Sequence, residues 1–372
     1  MIQNYKFSEK WPQKGQLQFL YLNISNVCNL RCFYCYDEEY ISTTAKEEHI
    51  TLSEIELIAE DCVELGLPAI AITGGEPLLN KNWFEIGKIF SDADILVSYS
   101  TNGTLLNKVE IEKLGKINAS LQISLDGNDE IMEFISKGKK IYTRTLANLK
   151  VLQSQGVDVL LNCVVGKHNF SFLDEFIHEL DQRKLRCRFV PFHAELNSKH
   201  SEYMLSVQEK YDLIMKINQH NKRTGSRNCS MTLPFLMNPE YITPSFQPGC
   251  GWAYNIAGIL PSGDVTVCAP AAGIDFFVAG NVKKTSFKEI WKNSDVFKNL
   301  RSYEANDLTG VCEMCPVKDK CVGSCRVAAY LKNGDTKSAG TMCQEFYDAV
   351  MNGEIDTDEF PVGCVKIKKE VA

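Results

Sequence analysis

Residues 28 to 35 read CNLRCFYC, so Cys28, Cys32 and Cys35 stand three and then two residues apart, directly after an apolar strand-like run. Three thiolates on one short loop can hold three corners of a cubane iron–sulfur cluster, whose usual ligand set is four cysteines. One iron is then left without a protein ligand. A zinc knuckle is the alternative, but structural zinc prefers four closed ligands. This stretch, the Cys loop, therefore predicts an iron–sulfur site with one open iron.

The CxxxCxxC spacing, with an aromatic residue before the third cysteine, resembles the radical S-adenosylmethionine (SAM) superfamily. The resemblance implies that Cys28, Cys32 and Cys35 bind a [4Fe-4S] cluster whose open iron is chelated by the amino and carboxylate groups of SAM. It further implies that one electron from the cluster cleaves SAM to methionine and a 5′-deoxyadenosyl radical, which abstracts a hydrogen atom from the substrate. Tyr34 is then expected near the adenine.

The composition is that of an ordinary globular protein. The chain has 372 residues, of which 44% are hydrophobic and 23% charged, a length that suggests about two domains. A net charge of −7 with no long basic block argues against nucleic acid as a partner. No apolar run reaches the roughly 18 residues of a membrane span, and the N-terminus lacks a signal-peptide pattern. We expect a cytoplasmic protein without a membrane partner.

The distribution of the 15 cysteines is uneven. Residues 36 to 228 hold only three, which lie in apolar patterns and are interpreted as buried thiols: Cys62, Cys163 and Cys187. The other twelve fall in the Cys loop and in the last 150 residues or so. In a reducing compartment such clusters indicate metal binding or catalysis rather than disulfides.

Apolar runs and amphipathic segments alternate through the first 224 residues. Strands are predicted at 17–25, 68–73, 95–100, 120–125, 157–165 and 186–192, and helices at 51–66, 82–90, 106–116, 142–155, 171–183 and 206–222. Six strands, each followed by a helix, predict an α/β fold with a parallel sheet, which is either an open doubly wound sheet or a partial barrel. The resemblance favours a partial (β/α)6 TIM barrel of radical SAM type.

Polar residues stand at the predicted carboxyl ends of these strands, where barrel chemistry is found. Paired glycines in the GGEP stretch after strand two (Gly74, Gly75, Glu76 and Pro77) allow a backbone edge to approach a ligand and leave N–H and C=O groups free to bind it. The stretch looks like the GGEP motif of radical SAM enzymes, which contacts the SAM amino group. By the same resemblance the ribose and carboxylate of SAM are expected at Ser100, Asn102, Ser124 and Asn162.

The sequence differs from the resembled family at one expected arginine. Many related enzymes carry an arginine shortly after the Asp-Gly of strand four, but residues 128–137 contain none. If a guanidinium faces the SAM carboxylate, Arg144 is the nearest candidate, with Lys137 and Lys139 as weaker substitutes.

A different pattern begins after residue 224. We predict a barrel domain at 1–224, a proline-containing linker at 225–249 and a cysteine-rich domain at 250–372 with a β-hairpin around Ser262-Gly263-Asp264. Seven cysteines there, the auxiliary cysteines, match the SPASM signature CX9-15GX4C, CX2CX5CX3C and C at every position: Cys250, Cys268, Cys312, Cys315, Cys321, Cys325 and Cys343. Seven thiolates exceed one four-cysteine site, so two metal sites are implied. A double zinc ribbon is the alternative.

The resemblance assigns the auxiliary cysteines to two further [4Fe-4S] clusters, making three in all. One would be held by Cys312, Cys315, Cys321 and Cys343, and the other by Cys250, Cys268 and Cys325. The second set lacks a fourth ligand, so the site is either open or filled by Cys229 or Cys364. Alternatively, either of these two cysteines donates a hydrogen atom to the substrate.

The leading hypothesis is a radical SAM/SPASM oxidoreductase that modifies a ribosomally made peptide, with an electron donor such as flavodoxin or ferredoxin. A small-molecule dehydrogenase or epimerase acting on a sugar, aminocyclitol or amino-acid-derived metabolite is the second hypothesis, and a non-catalytic metal-binding module the third. The first cysteine stands too near the N-terminus to allow the peptide-recognition domain of many peptide maturases. Ala269 follows Cys268 where sulfatase maturases carry an aspartate, which disfavours sulfatase maturation.

Overall fold

One mixed β-sheet organises the protein. The computed structural model describes residues 14–36, 41, 49–138, 141–193, 196, 198–226, 228–231, 251–315, 318–321 and 323–355. Within these residues the strands are β1 Phe19–Asn23, β2 Ala69–Thr73, β3 Leu96–Thr101, β4 Ser120–Ser124, β5 Val159–Val165, β6 Arg186–Pro191, β7 Cys229–Met231, β8 Ile256–Ile259, β9 Asp264–Thr266 and β10 Gly280–Asn281. They join in the order β10-β9-β8-β1-β2-β3-β4-β5-β6-β7.

Helices connect the strands and cover the sheet. They are α1 Leu52–Glu64, α2 Trp83–Asp92, α3 Lys108–Lys116, α4 Asp129–Ile135, α5 Tyr142–Ser154, α6 Leu173–Gln182, α7 Val207–Thr224, α8 Phe287–Asn293, α9 Asp295–Arg301, α10 Lys318–Cys321, α11 Arg326–Asn333 and α12 Thr341–Met351. No helix among the described residues is long and apolar enough to cross a bilayer.

Local sequence explains where the elements begin. In α1 a capping box forms because the Thr51 hydroxyl accepts the Glu54 N–H at 3.3 Å while the Glu54 carboxylate accepts the Thr51 N–H at 2.7 Å. Every residue of β2 is buried, as expected of a parallel strand covered on both faces.

The predicted α/β alternation is confirmed. All six predicted strands lie within two residues of β1 to β6, each is followed by a helix, and these strands pair in parallel. A partial barrel is therefore the observed fold class, since β1 to β6 lie side by side in chain order. Among the helices before residue 225, α4 was not predicted: residues 129–135 form it, and the Asn128 side chain caps it by accepting the Ile131 N–H.

The C-terminal part of the chain continues the same sheet. The predicted hairpin is the antiparallel pair β8 and β9, but β8 also pairs in parallel with β1. Core residues from both parts, such as Leu20 and Trp291, belong to one hydrophobic cluster. The domain boundaries at 224 and 249 remain predictions, and a shared sheet and core link the regions on either side of them.

Two features of the sheet determine where the functional site lies. Since β1 to β6 run in parallel, the loops that follow them meet at one edge of the sheet, here called the carboxyl edge. On β6 the residues Cys187 and Phe189 are buried, and the Phe189 ring packs 6.3 Å from Phe176 of α6. Arg188 therefore points to the opposite, inner face of the barrel.

Candidate functional site

The Cys loop lies at the carboxyl edge directly after β1, and its three thiols are partly exposed. The residues that precede it continue the pairing of β1 with β2. Ile24 donates to the Thr73 carbonyl at 2.9 Å, Gly75 to Ser25 at 2.7 Å and Glu76 to Val27 at 2.9 Å. The GGEP stretch therefore holds the start of the Cys loop through backbone hydrogen bonds.

The two glycines are required by this contact. A Cβ at Gly74 would lie 2.4 Å from the Ser25 carbonyl oxygen, and one at Gly75 would lie 2.3 Å from that of Val27. Gly74 also has a φ of 135°, which other residues rarely adopt. The expectation of free N–H groups is wrong for Gly75 and Glu76, because both donate to the protein backbone. The glycines are needed because they lie against the backbone of Ser25 and Val27, which leads into the Cys loop.

Glu76 connects the GGEP stretch to the end of β3. Its side chain is fully buried. One carboxylate oxygen accepts from the Thr101 hydroxyl at 2.7 Å and the Leu78 N–H at 3.2 Å, and the other accepts from the Asn102 N–H at 2.8 Å. Burial raises the pKa of this carboxyl group, and the three donors oppose the shift. Pro77 is also buried and starts a 3₁₀ turn, Pro77–Leu79.

Asn102 lies against the Cys loop, as expected of a strand-end residue at the site. Its side-chain nitrogen donates to the Asn29 side chain at 2.9 Å and lies 3.9 Å from the Cys28 sulfur. Its oxygen accepts from the N–H and hydroxyl of Thr104. An amide group is thus held beside one of the three thiols.

Tyr34 is anchored to β4 and β5. Its hydroxyl donates to the carboxylate of Asp126, whose other oxygen accepts the Val164 N–H. Asp126 is fully buried, and burial raises its pKa to about 7. This pair fixes the residue before the third cysteine. Asp126 was named from the sequence only as part of the Asp-Gly after strand four. Its position directly after a buried apolar strand could have indicated a site residue.

His168 was not considered from the sequence, and it lies beside Tyr34. The two ring centroids are 6.2 Å apart, and the His168 and Phe33 rings meet edge to face at 5.1 Å. Both ring nitrogens are buried without a hydrogen-bond partner among the described residues. Burial lowers the pKa of this histidine to about 4, so the neutral form prevails at neutral pH. Its position directly after β5 was the available signal.

A polar row crosses the inner face of the barrel. Ser124 of β4 pairs with Asn162 of β5, which pairs with Arg188 of β6 and then Ser230 of β7. Residues in register on parallel strands share a face. The Asn162 side-chain oxygen is buried without a partner, which fits a ligand donor in the barrel. Ser100 lies on the same face of β3, two positions closer to the amino end than the extension of this row, because it pairs with Gln122.

Arg144 lies in the first turn of α5 with its side chain exposed. Within the described part of the chain no acidic side chain pairs with it, so its predicted contact with the SAM carboxylate remains a prediction. Lys137 is exposed, and Lys139 lies outside the described residues.

The donor set of the Cys loop suits an iron–sulfur cluster. Burial raises the pKa of the Cys32 thiol, and the neighbouring Cys35 and Cys28 add to the shift, as expected of three thiols that lie near one another on one loop. No three His, Cys, Asp or Glu side chains among the described residues converge closely enough to hold a single metal ion. A cubane binds each thiolate to its own iron atom and therefore needs a wider arrangement.

The auxiliary cysteines come together from separate elements. Cys312 ends the 3₁₀ turn Gly310–Cys312, Cys321 ends α10 and Cys343 lies in α12. Burial raises the pKa of Cys321 to about 12, and the nearby Cys315 and Cys312 add to the shift. Cys325 caps α11, and Cys268 follows β9.

Three more cysteines were assigned or proposed as ligands of the second auxiliary site, and the structure describes only one of them. Cys229 begins β7, is buried, and is in register with Cys187 near the start of β6. Because Phe189 of β6 faces the helices and Cys187 shares its face, Cys229 is directed away from the inner face. Its role as ligand or hydrogen-atom donor stays a prediction, which this register does not favour. Cys250 and Cys364 lie outside the described residues.

A parallel partial barrel with three thiols on one loop of its carboxyl edge, followed by a second thiol-rich region, is the architecture of an iron–sulfur enzyme that uses SAM. The family model of the radical SAM superfamily matches residues 22–180, and that of the SPASM iron–sulfur cluster-binding domain matches residues 250–316. The chain therefore carries a radical SAM domain and a SPASM domain.

Several relatives resemble nearly the whole chain. The AdoMet-dependent heme synthase of Methanosarcina barkeri is 28% identical, over 83% of this chain and 90% of its own length. The PqqA peptide cyclase of Bradyrhizobium diazoefficiens is 22% identical, over 87% of this chain and 84% of its own. Among solved structures, Streptococcus suis SuiB bound to precursor peptide SuiA has a TM-score of 0.74 at 17% identity, covering 88% of this chain and 76% of that one. These family domains imply [4Fe-4S] clusters and SAM as cofactors.

Proposed function

We propose that this protein is a radical SAM oxidoreductase with three [4Fe-4S] clusters that modifies a ribosomally made peptide in a reducing compartment such as the cytoplasm. The observation that carries the proposal is the Cys loop, which is held at the carboxyl edge by backbone hydrogen bonds from Gly75 and Glu76. Bound SAM would supply the 5′-deoxyadenosyl radical that removes a hydrogen atom from the substrate.

The residues of the chain have separate roles in this proposal. Cys28, Cys32 and Cys35 would hold the first cluster and leave one iron for SAM. Tyr34, which is fixed by its hydrogen bond to Asp126, would stand near the adenine. The ribose and carboxylate of SAM would be bound by Ser100, Asn102, Ser124, Asn162 and Arg144. Glu76 positions Thr101 and Asn102 rather than touching SAM, because its carboxylate already accepts three hydrogen bonds.

The peptide substrate is supported by the relatives. One is named a peptide cyclase, and one structural neighbour was solved with a precursor peptide. The auxiliary clusters would pass an electron onward or bind the substrate, and flavodoxin or ferredoxin would deliver electrons to the first cluster.

Cluster number is the first test. Anaerobically reconstituted wild-type protein is expected to bind about 12 iron atoms, four for each cluster. Cys32→Ala and Cys321→Ala should each lose about four of them, and Cys62→Ala, which changes a buried thiol of α1, should lose none. An iron content of about eight or fewer in the wild type would contradict the two-site assignment of the auxiliary cysteines.

A second candidate is oxidation or decarboxylation of a small carboxylate-bearing molecule. Arg188 favours it, since this guanidinium faces the inside of the barrel and no acidic side chain of the described residues pairs with it. Guanidinium groups bind carboxylates in a bidentate manner. One relative, 28% identical, is named a heme synthase, and heme is a small molecule rather than a peptide.

Mass spectrometry of reactions with SAM and a reductant can distinguish a peptide substrate from a carboxylated metabolite. The protein would be given either a short peptide encoded beside its gene or carboxylated metabolites from the same cells. A mass change in the peptide that persists in Arg188→Met supports the peptide substrate. A mass change only in a carboxylated metabolite, lost in Arg188→Met and retained in the matched variant Arg186→Met, supports the second candidate.

A further inference from the structure

Arg326 is a fully buried charged residue in the cysteine-rich region. It is the first residue of α11, directly after Cys325, and is among the largest side chains with no exposed surface. Burying a guanidinium is costly unless an opposite charge or a full set of hydrogen bonds compensates for the lost water. A compensating group is therefore expected beside Arg326.

Protein hydrogen bonds satisfy only part of the guanidinium. One terminal nitrogen, Nη1, donates to the Thr336 carbonyl at 3.0 Å and to the Ser338 carbonyl at 2.5 Å. Nε and Nη2 are buried without a partner, and no carboxylate of the described residues forms a salt bridge with this arginine. Gly323 packs directly on the group, since a Cβ there would lie 2.5 Å from its central carbon. Two nitrogens with three N–H donors between them are thus left for another acceptor.

Arg326 packs on the short segment that joins the two assigned ligand sets. Its guanidinium lies against Gly323, which stands two residues after Cys321 and two residues before Cys325. Cys321 belongs to the set assigned to one auxiliary cluster, and Cys325, which directly precedes Arg326, belongs to the other. The guanidinium therefore lies beside a segment that carries ligands of both sets.

We propose that Arg326 is the shared counter-ion of the two auxiliary iron–sulfur sites and that it favours their reduced state. The proposal rests on the assignment of these cysteines under the proposed function. Reduction of a cluster by one electron from a low-potential donor adds one negative charge and changes no covalent bond. A fixed positive charge nearby stabilises the more negative state, and the low dielectric of the interior strengthens this attraction.

A redox titration of the full-length, anaerobically reconstituted protein, followed by electron paramagnetic resonance, tests the proposal. Arg326→Gln removes the charge and should lower the equilibrium constant for reduction of an auxiliary cluster about 10- to 100-fold, equal to about 60 to 120 mV at 59 mV per tenfold. Arg326→Lys keeps the charge and should stay within about threefold of the wild type, or about 30 mV. The first cluster is an internal reference and should not change.

Lys332→Gln is the matched control, because it removes an exposed positive charge from the same helix, and it should leave all potentials unchanged. Wild-type auxiliary potentials in an Arg326→Gln protein with full iron content would overturn the proposal. If Arg326→Gln loses iron, Arg326→Lys decides: full iron with wild-type potentials supports a role for the charge, whereas iron loss or shifted potentials in Arg326→Lys contradicts it. A wild type with iron for one cluster only would instead show that the cysteine assignment has failed.

Discussion

The two thiol-rich regions of this protein differ in the sign of the buried charge beside them. Next to the Cys loop stand two fully buried carboxyl groups, Glu76 and Asp126. Burial raises the pKa of Cys28 and Cys32; Glu76 adds to the shift at Cys28 and Asp126 to that at Cys32, while the partly buried Arg31 opposes it at Cys28. Among the auxiliary cysteines stands the guanidinium of Arg326. A nearby negative charge opposes the addition of an electron, whereas a positive charge favours it. The comparison indicates that electrons are held less tightly at the first site than at the auxiliary sites.

The regions also differ in how the ligands are held. The cysteines of the Cys loop lie on one short segment, which is fixed by backbone contacts with the GGEP stretch. The auxiliary cysteines are brought together from helices and turns distant in sequence. Local substitutions should therefore damage the first site directly, while the auxiliary sites depend on the packing of the whole region.

The largest expected effect is on SAM cleavage, which should require the Cys loop and not the auxiliary cysteines. Cys32→Ala should abolish formation of 5′-deoxyadenosine from SAM under a strong reductant, because the cluster with the open iron loses a ligand. Cys321→Ala should retain this formation within about tenfold, since the auxiliary cysteines do not bind SAM in this account. Chromatography of anaerobic reactions measures the product. Equal loss in both variants would show that the two regions do not act separately.

The next effect tests the close approach at the GGEP stretch. Gly75→Ala places a Cβ 2.3 Å from a backbone oxygen and should lower the free energy of unfolding by about 2 to 3 kcal/mol, with loss of iron from the first site. Gly115→Ala is the control: its Cβ has open space within α3, so stability should rise by about 0.5 to 1 kcal/mol. Urea denaturation and iron analysis give both quantities. Full stability in Gly75→Ala would rule out the tight contact.

The smallest expected effect concerns His168. Its pKa of about 4 in the folded protein lies below the ordinary value of about 6.5. The unfolded chain therefore binds more protons between pH 6.5 and 4, and the free energy of unfolding falls as the pH falls through this window. His168→Gln should remove about 1 to 3 kcal/mol of that dependence. The exposed His178→Gln should leave it unchanged. Urea midpoints at pH 7 and 5.5 provide the measurement, and parallel slopes in both variants would contradict the burial of His168.

Much of the fold could be predicted because its signals are local. Apolar runs placed β1 to β6 within two residues, and the Ser262-Gly263-Asp264 turn placed the hairpin. The pairing of β8 with β1 could not be predicted, since parallel pairing between residues more than 230 positions apart leaves no periodic pattern. The helix α4 was missed because its seven residues are too short for a clear helical repeat.

The candidate site was predictable where a motif identifies it. The cysteines of the Cys loop, the glycines and Asn102 were found in this way. Spacing could not reveal which groups the glycines approach, nor that Cys229 is directed toward the helices, because both depend on strand register. Arg326 and His168 escaped notice because burial without a partner is a property of the packed structure.

Electron-nuclear double resonance of the reduced protein with SAM labelled with ¹⁵N at its amino group tests the central claim most directly. The claim is that the iron left open by Cys28, Cys32 and Cys35 binds SAM. The account predicts a ¹⁵N coupling to the reduced cluster in the wild type that is retained in Cys321→Ala and absent in Cys32→Ala. A protein with full iron content and bound SAM that shows no such coupling would contradict it.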